Sequence, residues 1–338
     1  MKLDIYHEDS AFDLLRDEWN ALLNRSVVNE IFLTWEWQAT WWRAYTPGDL
    51  WLIVGRDENG ALAGIAPWFR EMPSRVIRPI GCVDVTDYLD IIAPPEQHEA
   101  FLSALAAWLA EQRGEYERVN LCNMQDRSPT KAVLPPLLEA HGFKVELQQQ
   151  ETCPRIALPA TFEDYLNSLD KKQRHELRRK MRRAEEAEHV AGEKVDWYIV
   201  GPEHDLNEQT ELFITLMKAS HPEKAKFMDE PQNAAFFRAM VPQVAACGWL
   251  QLAFLTVDGA AAAAYLNFDY DNCIGVYNSG LLPGSYGHLS SGIVLLCYLI
   301  QHNIEQRRKM FDFLRGNEDY KYRMGAQDSP VMEMRIYP

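Results

Sequence analysis

Between Lys309 and Gly325 the chain reads KMFDFLRGNEDYKYRMG, which brings Asp312, Glu318, Tyr320 and Lys321 into one short stretch. Side chains of these types move protons. A carboxylate or phenol beside a reacting group acts as general acid or base, worth about 10² to 10⁴ in rate. Alternation over Met310 to Leu314 predicts a short strand with Phe311 and Phe313 on one face and Asp312 on the other. A carboxylate in mid-strand is costly unless paired or hydrogen-bonded, and Arg315 or Lys321 can pair with it. Two roles are therefore open for Asp312: a catalytic group, or an internal ion pair that fixes the loop. Gly316 and Asn317 then make a turn or cap.

Upstream, Cys273 to Pro283 (CIGVYNSGLLP) reads as a strand, followed by GSYGHLSSG and a helical run with Ile293, Leu296, Ile300 and Ile304 on one face. Ser290 or Ser291 is placed as its N-cap. A glycine-bearing loop before a helix suits an anion, because the first turn offers unpaired N–H groups and small residues let a phosphate approach them. Gly287, His288, Ser290, Ser291 and Gly292 are the candidates. His288 is also a candidate base, with an ordinary loop histidine as the alternative.

Further candidates lie in the first half. Asp87, Tyr88 and Asp90, in VTDYLDII, combine acids with a phenol in a loop, either as acceptor-binding groups or as loop caps around a buried tyrosine. Trp35, Trp37, Trp41 and Trp42 read most simply as core, with a sugar-stacking platform as the sharper alternative. Lys171 to Arg183 (KKQRHELRRKMRR) sets eight Lys or Arg against the single acid Glu176. Such a run is either a solvated face or a dock for something anionic.

Two similar hairpins organise these pieces. Leu50 to Pro67 turns at Asn59-Gly60, and Trp249 to Leu266 turns at Asp258-Gly259; both dipeptides supply the positive φ that tight hairpins need. Amphipathic helices precede each, at Phe12 to Leu23 and Trp35 to Tyr45 in one half, and at Leu206 to Ser220 and Pro231 to Cys247 in the other. The class is α/β or α+β. A boundary near residue 150 is expected at the polar break QQQETCP, giving domains 1–150 and 151–338. From Thr161, with Asp164 completing a capping box, a long helix is predicted that carries the basic run.

The chain of 338 residues, 47% apolar and 25% charged, is composed like an ordinary globular protein. No signal peptide and no membrane span are expected. Six cysteines stand singly, read as reduced thiols, which points to the cytoplasm, and no metal site is expected. The net charge of −15 argues against DNA as a partner and disfavours RNA.

The run from Cys273 through YKYRMG resembles the C-terminal half of the GNAT-type acetyltransferase domain in CelD-like proteins of bacterial polysaccharide and envelope pathways. The family's "fDF-x-RG-x-x-x-YK" with a following Gly falls on Asp312, Phe313, Arg315, Gly316, Tyr320, Lys321 and Gly325. The basic helix ELRRKMRRAEE, Phe32 to Trp42 and VTDYLDII match as well. The resemblance implies two tandem GNAT-like domains, each a mixed, largely antiparallel sheet flanked by helices, the first degenerate and the second an acyltransferase related to Fem-type peptidyltransferases. It implies acyl-CoA, usually acetyl-CoA, as co-substrate, with the Pro283 to Gly292 loop, Arg315 and Gly316 at the donor. Asp312, Glu318, Tyr320 and Lys321 would carry the chemistry, and Asp87, Tyr88 and Asp90 would meet a small-molecule or glycan-precursor acceptor. The loop departs from the usual Q/R-x-x-G-x-G/A pattern, with glycines at 284, 287 and 292. Two alternatives stay open: an aminoacyl-tRNA-dependent Fem-type transferase, and a non-catalytic partner protein in polysaccharide assembly.

Overall fold

A computed structural model describes the whole chain except Val83, Asp84, Pro283 and Ser285, so two residues of the expected Pro283 to Gly292 donor loop lie outside the described residues. The chain forms two compact units. One comprises Met1–Thr152 together with Ser329–Pro338, the other Cys153–Asp328. The sequence expectation assigned all of 151–338 to the second domain; the last ten residues instead return as a strand of the first.

The described residues form thirteen strands: β1 (Lys2–Tyr6), β2 (Gly48–Arg56), β3 (Leu62–Glu71), β4 (Val76–Pro79), β5 (Arg118–Gln125), β6 (Lys144–Thr152), β7 (Arg155–Ala157), β8 (Val195–Ile199), β9 (Leu250–Val257), β10 (Ala260–Tyr270), β11 (Cys273–Leu281), β12 (Met310–Asp312) and β13 (Pro330–Tyr337). The first unit's sheet runs β1-β2-β3-β4-β5-β13-β6. All its pairs are antiparallel except β4 with β5. β13 is slotted between β5 and β6, and its Val331, Met334 and Ile336 are buried. A register shift between Met332 and Met334 lets residues on either side of it reach the core.

In the second unit the order is β7-β12-β11-β10-β9-β8, with β11 and β12 the parallel pair. Both predicted hairpins form, β2 with β3 and β9 with β10. At the second turn Asp258 and Gly259 take φ of 50° and 81°, the left-handed pair that a two-residue hairpin requires. Helices cover the sheets: Ser10–Leu23, Trp35–Tyr45 and Pro95–Glu111 in the first unit, and Leu206–Ser220, Pro231–Ala246 and Ser291–Glu305 in the second. The four tryptophans from Trp35 to Trp42 are at most 5% exposed and serve the first core.

Two local expectations are corrected. The long helix from Thr161 is two helices, Phe162–Ser168 and Lys171–Glu185. Thr161 caps the first through the Asp164 N–H, but Leu169 is extended and Asp170 caps a new start through the Gln173 N–H. Cys82 and Cys122 are not lone thiols; they are joined in a disulfide. Cys82 follows β4 and Cys122 lies on neighbouring β5, so the topology brings together two residues that the sequence keeps far apart.

Candidate functional site

The second unit's site begins where two strands part. β11 pairs with β12 only from Cys273 to Gly275, against Met310 to Asp312. β11 then continues to Leu281, while the other chain turns away through Leu314 at φ 55° and Gly316 at φ 108°. β11 also carries an extra residue, Tyr277, where Leu266 pairs with Asn278 but Asn267 with Val276. A bulge of this kind re-aims the side chains around it and is frequent beside active sites.

Lys321 holds the turn after β12. Its side chain is 3% exposed, and its ammonium donates to the carbonyls of Arg315 at 2.8 Å, Gly316 at 3.1 Å and Leu314 at 3.3 Å. The Glu318 carboxylate completes the shell at 2.9 Å. Gly316 is required there by its backbone angle, which side-chain-bearing residues rarely adopt. Lys321 therefore satisfies a carbonyl-rich turn rather than facing a ligand. The strand expected to reach Leu314 stops at Asp312, whose carboxylate pairs with Arg155 on β7 at 2.7 Å. Asp312 Oδ1 also accepts the Leu314 N–H at 2.8 Å. Of its two open roles, this geometry is the bracing one.

Tyr320 occupies a different position. It lines a cavity of about 480 Å³ together with Tyr265, Ser279, Gly287 and Ser290 to Gly292. It also lines a neighbouring cavity of about 590 Å³ whose walls include Lys172, His175, Arg179, Lys180 and Arg323. Lys180 and Ile293 border both, so the two spaces meet at Tyr320. Burial raises the Tyr320 hydroxyl well above the usual phenol range, and burial raises that of Tyr265 as well. Both remain neutral donors at physiological pH.

Helix Ser291–Glu305 begins at this cavity. Ser290 holds the N-cap position in a left-handed conformation (φ 57°), but its hydroxyl makes no capping bond. A Cβ at Gly287 would meet nothing within 4 Å. Open space thus lies before a helix start that its own cap residue does not close, which is the arrangement a phosphate requires. The basic helix is fastened beside it. Arg183 donates to the His288 carbonyl at 2.7 Å, and the His288 ring contacts Glu193 at 2.7 Å. The His288 ring, held by Glu193, is about half exposed.

Sequence reasoning missed Lys224. It lies in helix Pro222–Asp229, and its ammonium donates to Ser279 O at 2.6 Å and Ser279 Oγ at 3.3 Å. Burial pushes its pKa down to about 8 against the opposing field of Glu318. Nothing in HPEKAKF separates this lysine from Lys226, so no sequence signal could have found it.

In the first unit Asp87, Tyr88 and Asp90 are 7%, 2% and 5% exposed. The Asp90 carboxylate accepts from Thr130 Oγ1 at 2.7 Å and the Ile91 N–H at 2.8 Å, and burial pushes its pKa up to about 6. His98 in turn reaches Thr130 at 3.1 Å, and burial lowers its pKa. These contacts fit the loop-capping reading of the DYLD segment.

Residues 171–322 match the family model described as "Acetyltransferase (GNAT) domain". In fold the chain is similar to the crystal structure of FemX, with a TM-score of 0.64 at 11% identity over 98% of this chain and 97% of that one. It is similar to a conserved protein of unknown function from Bacteroides thetaiotaomicron VPI-5482, at 0.65 and 12% over 99% and 100%. L-PGS from Bacillus licheniformis follows at 0.58 and 12% over 95% and 91%. Such identities speak to fold alone. No curated protein matches the sequence. Among the described residues no helix is long and apolar enough to cross a membrane.

Proposed function

We propose that the second unit is an acyltransferase that takes an acyl group, acetyl in the simplest case, from acyl-CoA and passes it to an amine or hydroxyl of a small-molecule or glycan-precursor acceptor. The observation that carries this reading is the pair of cavities meeting at Tyr320. One opens on the uncapped helix start at Ser290 to Gly292, the other on Lys172, His175, Arg179, Lys180 and Arg323. Phosphates of the donor would rest on the helix N–H groups and these cations, which leaves the thioester near Tyr320. A neutral phenol held by burial suits protonation of a leaving thiolate. Direct attack on a thioester needs orientation above all, and holding both partners in one cleft can supply about 7 to 11 kcal/mol of the barrier.

The test is thermal unfolding with acetyl-CoA, CoA and free pantetheine. Acetyl-CoA and CoA are expected to raise the Tm and pantetheine to raise it less, because stabilisation follows occupancy of the folded state. No shift with any CoA species at millimolar concentration would overturn the reading.

A second reading has its own support. The basic helix presents Arg178 and Arg179 with side chains 44% and 50% exposed, and Arg179 lines the second of these cavities. An aminoacyl-tRNA donor would use these cations on RNA phosphates, and its binding must weaken steeply with salt. Filter binding of total tRNA at about 50 and 200 mM salt separates the two donors.

A further inference from the structure

Ser279 lines the glycine-loop cavity, and Lys224 is bound to this serine. Ser279 is the cross-strand partner of Tyr265, and both line that cavity. Behind Ser279, helix Pro222–Asp229 brings the Lys224 ammonium to its carbonyl and hydroxyl. The approach is fixed by packing: a Cβ at neighbouring Gly280 would stand 2.6 Å from Met217 N, so helix Leu206–Ser220 lies directly on β11 and delivers Lys224 just past its end. Among the described residues Lys224 forms no ion pair; the charged group whose field reaches it is Glu318, and that carboxylate is already bound to Lys321. A largely buried lysine aimed at a cavity-lining serine is costly to maintain as a purely structural feature.

We propose that Ser279 and Lys224 form the proton-accepting pair of the acceptor subsite, with Ser279 touching the attacking amine or hydroxyl and Lys224 acting through it. This rests on the acyltransferase reading above. In the step itself the acceptor's lone pair forms a bond to the acyl carbon and the carbon–sulfur bond breaks, with its electrons leaving on sulfur. The acceptor's surplus proton passes to Ser279 Oγ as the Ser279 proton passes to neutral Lys224 Nζ, and the thiolate is protonated from Tyr320, which solvent then restores. No further reactant is required. The 3.3 Å contact serves both states, since an ammonium donates to Oγ and an amine accepts from it. With a pKa near 8, about one Lys224 in ten is neutral at pH 7, against fewer than one in a thousand for an unperturbed lysine. That population makes it a usable base near neutrality.

The experiment uses the full chain with acetyl-CoA as donor and hydroxylamine as a small probe nucleophile, following protein-dependent release of the CoA thiol across pH. The wild type is expected to rise to a plateau with a midpoint near pH 8. Lys224→Met and Ser279→Ala should each lower the rate about 10² to 10³-fold and remove that midpoint, while the thermal shift given by acetyl-CoA is retained. Trace labelling with acetic anhydride, read by mass spectrometry, should give Lys224 a reactivity midpoint near pH 8 while exposed lysines titrate near 10. Unchanged profiles in both variants, or a Lys224 midpoint near 10, overturn the pair. If the wild type shows no shift with acetyl-CoA, the acyl-CoA reading fails first and the pair falls with it.

Discussion

Asp312 and Arg155 meet at 2.7 Å across β12 and β7, the carboxylate 2% and the guanidinium 15% exposed. They are also direct cross-strand partners in the ladder. The pair ties the strand that enters the second unit to the strand that leads into the LRGNEDYK turn. Its position explains why an acid is tolerated in mid-strand: the charge is compensated where it is buried.

Removing one member leaves the other buried and uncompensated, at a cost of about 3 to 5 kcal/mol. Asp312→Asn and Arg155→Met are each expected to lower the urea midpoint of the second unit by an amount of that order. The double variant should be closer to wild type than the two losses added together. Additive losses in this cycle would mean that the two side chains do not act as a pair.

Lys321→Met tests the turn in the same way. It leaves the carbonyls of Leu314, Arg315 and Gly316 without their shared donor, and hydrogen bonds to a charged group are worth about 1.5 to 3 kcal/mol each way. The expected result is a destabilised second unit. Glu318→Gln should cost less than about 1 kcal/mol, because Glu318 is 58% exposed and solvent screens its share. Equal losses in the two variants would contradict the carbonyl clamp.

Much of this frame is legible in the sequence, for physical reasons that can be named. Asn59-Gly60 and Asp258-Gly259 mark their hairpins because few other residues accept the required angles, and periodicity places Trp35–Tyr45 and Leu206–Ser220 at their observed ends. What local pattern does not carry is which distant segment lies alongside. Arg155 as the partner of Asp312, β13 between β5 and β6, the Cys82–Cys122 bond and Lys224 behind Ser279 are all products of topology. The FDFLRGNEDYK motif itself joins the two kinds of information. Its Asp, Gly and Lys build the turn, and its Tyr320 lines both cavities.

Gly287 separates donor binding from folding. Because a side chain there would enter open space, Gly287→Trp is expected to leave the urea midpoint within about 0.5 kcal/mol of wild type, as surface substitutions do. The indole would fill the space before the helix start. The acetyl-CoA thermal shift should therefore disappear, and an intact shift would place the donor elsewhere.

Asp90 makes the first unit's stability depend on pH. Its folded-state pKa is raised from 3.8 to about 6, so between those values the folded protein holds a proton that the unfolded chain has lost. Stability from this group is therefore greatest below pH 4, falls as pH rises through 4 to 6, and is lowest above 6. The full difference is on the order of 3 kcal/mol. Asp90→Asn keeps an acceptor for Thr130 and the Ile91 N–H but cannot ionise. The variant should match wild type near pH 4, exceed it by about 2 to 3 kcal/mol at pH 7.5, and lose the slope between. Tryptophan fluorescence reads this unit selectively, because eight of the ten tryptophans precede residue 110. An Asp90→Asn curve that runs parallel to wild type from pH 4 to 7.5 would show that Asp90 binds its proton equally in the folded and unfolded states, and would overturn this reading.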